Sequence, residues 1–234
     1  MNSLFKNLLY FTLLYFAIFV LDTVVKVNLT PTRLRYITKS SLIVLLLIFY
    51  VVNQNEESRT KVYLVVTAIC CFIIGDFFII NGENKTLLTT GVIFFAIAKI
   101  LYSVRFSNNN DFNILKLIPF LLFCFTYMSV VMLFIYDNLG DYFLPVLLYL
   151  FIVMLTAQFA YLRKNAVNNS SYWFVLIGII LSMFSDSINL LKEFYNFDIA
   201  YNNYTIMFFY GASQYFILVG LVKENVDISF LKNK

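Results

Sequence analysis

Apolar runs close to 20 residues follow one another along this chain, broken only by short polar stretches such as NQNEESRTK, SNNNDFN, NAVNNSS and NFDIAYNN. Each run can cross a hydrocarbon core about 30 Å thick. In that solvent every backbone N–H and C=O must find its partner within the fold, and these runs lack the alternation of a barrel strand, so they form helices. Eight spans are predicted, near 8–25, 36–52, 62–81, 87–106, 114–135, 142–162, 172–191 and 204–222. The expected fold is all-α, a polytopic membrane bundle of eight transmembrane helices. Charged residues make up 13% of the chain, against roughly 25% in a soluble domain. The helices are therefore the body of the protein, and residues 1–234 read as one integral membrane domain. No small-residue cleavage site follows the first run, so Leu8–Val25 reads as a retained helix.

Lysine and arginine set the orientation. The face that holds the N-terminus, the second, fourth and sixth loops and the C-terminus carries ten of them; the opposite face carries six, and Lys99 lies within a span. Cytoplasmic loops collect positive charge, so both termini are expected in the cytoplasm. The basic face is a topology signal and points to no nucleic acid. Aromatics amount to 19%. Tyr36, Tyr63, Tyr142, Tyr172 and Trp173 fall at predicted span ends, where interfacial belts form.

Two aspartates interrupt the apolar runs, Asp76 in CCFIIGDFFII and Asp186 in GIILSMFSDSINLL. A carboxylate at the centre of a membrane helix costs roughly 2.5–3.5 kcal/mol even on insertion scales, which makes it a functional hypothesis by default. Each acid lies 14 residues past the start of its predicted span, and both spans start on the cytoplasmic side. At about 1.5 Å per residue both are expected at one height in the outer half of the membrane. Asp22, Lys39, Asn81 and Asn189 are expected in the same layer. Gly75 and Ser185 precede the two acids and permit close helix approach. The structural alternative is a pair with Lys39 or another donor that merely holds the bundle together. Lys99 and Tyr102 share a face near the inner end of the fourth span; Gln158, Ser213 and Gln214 are mid-span groups that should bond across helices.

Histidine is absent, which removes His–carboxylate triads, His-ligated zinc or di-iron and ordinary haem ligation. Cys70, Cys71 and Cys124 fall in apolar runs and read as packed thiols. No phosphate-cradling loop, GxSxG elbow or CxxC occurs, and no metal or cofactor is expected.

Several stretches together resemble the YhhN family of eight-span membrane proteins, which includes lysoplasmalogenases. They are Tyr36-Ile-Thr-Lys-Ser40, Ile74-Gly-Asp-Phe-Phe78, Gly91-Val-Ile-Phe-Phe-Ala-Ile-Ala-Lys-Ile-Leu-Tyr102, Met154, Phe184-Ser-Asp-Ser187 and Tyr210-Gly-Ala-Ser-Gln214. The chain departs from the family in having Lys39-Ser40 for the usual Lys-Pro, and Lys99 where a His is usual. The resemblance implies hydrolysis of the vinyl ether bond of lysoplasmalogens to a fatty aldehyde and a glycerophospho-alcohol. A vinyl ether hydrolyses once an acid protonates its β-carbon; the resulting oxocarbenium ion is captured by water. One protonated carboxyl and one carboxylate suffice, as in glycosidases, and Asp76 and Asp186 are the expected catalytic pair. Lys39, Asp22, Asn81, Asn189, Tyr102 and Gln214 are the expected supporting or substrate-binding residues. The expected partners are a lysophospholipid substrate and the lipid bilayer, with a bacterial cytoplasmic membrane as location. Two other readings use the same residues: a transporter or channel with the aspartates as proton or cation sites, and a non-catalytic lipid-binding protein. Against transport, no internal repeat and no Gly/Pro-broken span is evident.

Overall fold

The computed structural model describes residues 5–28, 32–56, 58–80, 84–108, 114–195 and 202–224. They form helices α1 (Leu8–Asn28), α2 (Thr32–Asn53), α3 (Arg59–Ile80), α4 (Lys85–Phe106), α5 (Ile114–Leu139), α6 (Phe143–Leu162), α7 (Asn169–Phe194) and α8 (Asn202–Val222). Among the described residues seven stretches are long and apolar enough to cross a membrane. One of these runs from 117 to 162, through the 3-10 turn Gly140–Tyr142. The chain reverses there, because α5 and α6 pack against each other. Gly140 makes the reversal with φ +47°, a backbone conformation that costs an L side chain but not glycine. Pro145 lies in the first turn of α6, where its missing N–H has no helical partner to lose. Pro119 lies five residues into α5, deeper than a span end.

The chain divides into two compact units, residues 1–105 and 106–234. In unit 1, α2 packs against both α1 and α3. Its interior is aromatic and aliphatic: Phe11 stacks on Phe49 at 3.9 Å, with Tyr15, Leu46, Tyr50, Ile69 and Ala98 fully enclosed. Lipid tails are as apolar as these side chains, so association rests on close packing and on polar contacts rather than on escape from water. The α3–α4 crossing shows the packing directly. A Cβ on Gly75 would stand 3.0 Å from the Gly91 carbonyl and 2.5 Å from the Phe95 ring.

In unit 2, α7 is the central helix and packs against α5, α6 and α8, most extensively against α8. That crossing is again built on absent side chains. A Cβ on Gly178 would lie 2.9 Å from the Ile217 nitrogen, and one on Gly220 would lie 2.9 Å from the Val175 nitrogen. Val131, Ile135, Leu139, Val146 and Leu150 fill the space between α5 and α6. Large apolar side chains such as Leu122, Leu133 and Phe151 remain on the outside, as a lipid-facing surface requires.

Candidate active site

Unit 1 buries a charge cluster on three helices. Asp76 is the eighteenth residue of α3 and has no exposed surface; the Lys39 Nζ of α2 lies 2.7 Å from its Oδ1. Thr38, the residue before Lys39, donates its hydroxyl to Asp22 Oδ1 of α1 at 2.6 Å. Consecutive residues of the middle helix thus reach acids on the two flanking helices. This follows from helical geometry, since neighbours in sequence point about 100° apart on a helix. Arg35, one turn before Lys39, is half-buried and within electrostatic reach of both Asp22 and Asp76. The cluster therefore holds two carboxylates and two cations, which is how a low-dielectric interior tolerates charge. Tyr36 has its ring 4.7 Å from that of Phe77, the residue after Asp76.

Asp22 corrects an expectation. The first span was expected to stop at residue 25 with Asp22 near its outer end; α1 continues to Asn28, and Asp22 is fully buried inside the helix. Its neighbour in space is a threonine hydroxyl, which converts an end-of-span acid into an interior one.

Unit 2 handles its acid differently. Asp186 is the eighteenth residue of α7 and is half-buried. Tyr149 of α6 donates its phenol to Asp186 Oδ1 at 2.9 Å. The residues on either side are tied to other helices. Ser185 donates to the Ile206 carbonyl of α8 at 3.3 Å, and the Ser187 hydroxyl meets the Tyr127 phenol of α5. Tyr127 also donates to the Met183 carbonyl at 2.8 Å. Three consecutive positions of α7 thereby engage three different helices.

Two buried arginines occupy other parts of the units. In unit 1 Arg105 pairs with Glu56. In unit 2 Arg163 pairs with Glu224 at 2.6 Å, donates to Ser171 at 3.1 Å and lies 5.2 Å over the Phe106 ring. Both had been read from sequence as face charges that report topology; each is almost fully enclosed. An arginine can be enclosed this way because its planar fork satisfies several acceptors at once.

The expected site residues separate accordingly. Asp76, Lys39 and Asp22 come together in unit 1. Tyr102 is buried on α4 with its ring 5.7 Å from Phe72, one turn before Asp76 on α3. Lys99 is also buried, and its carbonyl accepts the Ser103 hydroxyl at 2.9 Å. In unit 2 Asn189 is half-buried on α7, and Gln214 is buried on α8 beside Ser213, whose hydroxyl donates to the Tyr210 carbonyl at 2.7 Å. Asn81 lies outside the described residues. Sequence reasoning overlooked Thr38, Arg35, Tyr149, Tyr127 and Ser187. A signal for the tyrosines existed: Tyr127 and Tyr149 stand mid-helix rather than at span ends, and a phenol in lipid needs an acceptor.

Among the described residues, no group of three or more His, Cys, Asp and Glu side chains is placed to hold a metal ion. The groups gathered around the acids are an ammonium, a guanidinium, hydroxyls and phenols. The sequence model of the YhhN family matches residues 34–221, most of the chain and the whole stretch from Arg35 to Gln214. No curated protein and no solved structure matches it.

Proposed function

We propose that this chain, which belongs to the YhhN family, hydrolyses the vinyl ether bond of lysoplasmalogens, releasing a fatty aldehyde and a glycerophospho-alcohol. The observation that carries the reading is the buried Asp76 held at 2.7 Å by Lys39 within the family-matched region. An acid kept charged inside an apolar helix is costly to retain for packing alone, because well-packed apolar residues often replace a buried ion pair without loss.

The roles follow from chemistry. The Lys39 ammonium lies 2.7 Å from Asp76 as its counter-ion, and Asp76 is the proposed base and stabiliser of a cation. The acid role falls to Asp186, the intramembrane carboxyl that meets a phenol rather than the Lys39 and Arg35 cluster. Asp186 gives its proton to the β-carbon of the vinyl ether, and the ether oxygen shares the positive charge left on the α-carbon. Water adds to that carbon and releases one of its protons to a carboxylate base. The hemiacetal then breaks its C–O bond to the glycerol as its O–H proton passes to the glycerol oxygen, giving aldehyde and alcohol, and the proton taken from water returns to Asp186 through solvent. Acid or base assistance of this kind is worth about 10²–10⁴-fold. The apolar helices accept the alkenyl chain. The proposed location is a bacterial cytoplasmic membrane, and the proposed topology is eight crossings with both termini in the cytoplasm.

The test is purified protein incubated with a lysoplasmalogen and with the saturated lysolipid of the same head group, aldehyde being followed by mass spectrometry. Aldehyde from the vinyl ether lipid alone is the expected result. If no ether lipid yields aldehyde the reading fails, and cation or proton flux in liposomes that depends on Asp76 would replace it by transport.

A further inference from the structure

We infer that Tyr149 is a positioning residue: its phenol fixes the carboxyl group of Asp186 in the orientation from which the proton is delivered. The inference rests on the proposed hydrolysis, with Asp186 as the acid.

The backbone of α7 around Asp186 is held independently of the carboxyl. Ser185 ties it to α8, and the contacts of Tyr127 with Ser187 and the Met183 carbonyl tie it to α5. These anchors place the Cα of Asp186. They do not set the plane of its carboxyl, because the terminal torsion of an aspartate is broad and roughly two-fold. That torsion is left to whatever touches the oxygens. Tyr149 meets Oδ1 at 2.9 Å from a ring that is itself buried. A buried ring on a helix has few ways to move, so the hydroxyl is a fixed point.

The phenol sits on Oδ1 at 2.9 Å. A carbonyl oxygen accepts from a phenol, so the acid form that keeps this contact with the phenol as donor has its carbonyl at Oδ1 and its transferable proton at Oδ2. Rotation of the carboxyl by half a turn would exchange them and aim the proton elsewhere. Tyr149 opposes that rotation, which is the meaning of preorganisation for a proton donor. Tyr127 is the natural contrast: also a phenol facing α7, it is bonded to Ser187 and a backbone carbonyl rather than to the carboxyl.

The experiment compares Tyr149→Phe with Tyr127→Phe in the full-length protein, each losing one oxygen atom. Y149F should lower kcat about 10- to 100-fold, as loss of a hydrogen bond at a reacting charge does, with KM unchanged. Y127F loosens an anchor of the α7 backbone rather than the carboxyl, so it should lower kcat less than Y149F does. Replacing Tyr149 by p-aminophenylalanine keeps a donor on the same ring and should restore most of the activity. A second readout needs no turnover: the infrared difference between wild type and D186N isolates the carboxyl C=O band of Asp186, and Y149F should move that band to higher frequency. An unmoved or absent band overturns the inference, as does an equal kcat loss in Y127F. If D186N keeps full activity, the assignment of Asp186 as the acid fails instead, and the infrared band alone decides whether Tyr149 orients it.

Discussion

The two units hold an intramembrane carboxyl at the same step of a helix and solve its cost in opposite ways. In unit 1 the central helix α2 supplies the donors, Thr38 and Lys39, and the flanking helices α1 and α3 supply the acids Asp22 and Asp76. In unit 2 the central helix α7 supplies the acid, and a flanking helix supplies a phenol. One carboxyl is met by an ammonium and the other by a phenol, two different partners for the same group. The proposed roles of base and acid are drawn from that difference.

The largest expected effects test the chemistry and the asymmetry together. Asp76→Asn and Asp186→Asn should each reduce aldehyde release by at least about 100-fold. Their stabilities should differ. D76N takes from Lys39 the carboxylate it sits on, and breaking a buried ion pair costs roughly 3–5 kcal/mol. In D186N the amide oxygen can still accept from Tyr149, so the loss should stay near about 1 kcal/mol. Thermal unfolding in detergent measures both. Equal destabilisation would show that the two acids are held alike and would break the comparison.

Lys39→Met probes the same pair from the other side. It should destabilise by about 3–5 kcal/mol, because it leaves Asp76 buried beside a thioether. The double variant K39M/D76L replaces the pair with apolar volume and should regain most of that stability. It should regain no activity. A double variant as unstable as either single one would mean that the pair does not act as a unit.

The helices were legible in the sequence because hydropathy is a local property and lipid leaves no alternative to helix. That Lys39 meets an intramembrane acid was legible for a similar reason, since charges in an apolar medium must meet; which acid it meets was not. Tyr149 and Thr38 were not. Which side of a helix faces a neighbour depends on its rotation, and a helix that is apolar all round, as α6 nearly is, carries no stripe from which to read it. With 17 tyrosines in the chain, the interfacial explanation absorbed those that stand mid-helix. The enclosure of Arg105 and Arg163 escaped notice because counting charges by loop treats every basic residue as solvated.

The glycine crossings give a second, smaller contrast. In unit 1 the close approach falls at Gly75, next to the acid; in unit 2 it falls at Gly178, two turns before Asp186. Gly75→Ala must displace the Phe95 ring and press on the Gly91 carbonyl, while Gly178→Ala presses on the Ile217 nitrogen and the Ser213 carbonyl. Overpacking of this kind costs roughly 1–3 kcal/mol in either variant. Only G75A should also lower activity, by about tenfold, because the shift is passed directly to Asp76 and catalysis is sensitive to sub-ångström placement. Activity assays normalised to folded protein decide it, and equal activity losses would deny that the α3–α4 crossing sets the position of Asp76.

Ser185→Ala should have the smallest effect. The Ser185 hydroxyl reaches the Ile206 carbonyl over 3.3 Å, near the long end for a hydrogen bond. That carbonyl lies in α8, where helix geometry supplies it with a backbone donor four residues on. Removing the hydroxyl therefore orphans no buried acceptor, and the cost should be about 0.5–1 kcal/mol. Turnover should change by less than about twofold, because the carboxyl next to it is held by Tyr149 and α7 remains packed on α8 through Gly178 and Gly220. A fall in kcat as large as that expected for Y149F would mean that the α7–α8 tie, and not the phenol, orients the acid. Unit 2 would then resemble unit 1, with its carboxyl placed by a helix contact.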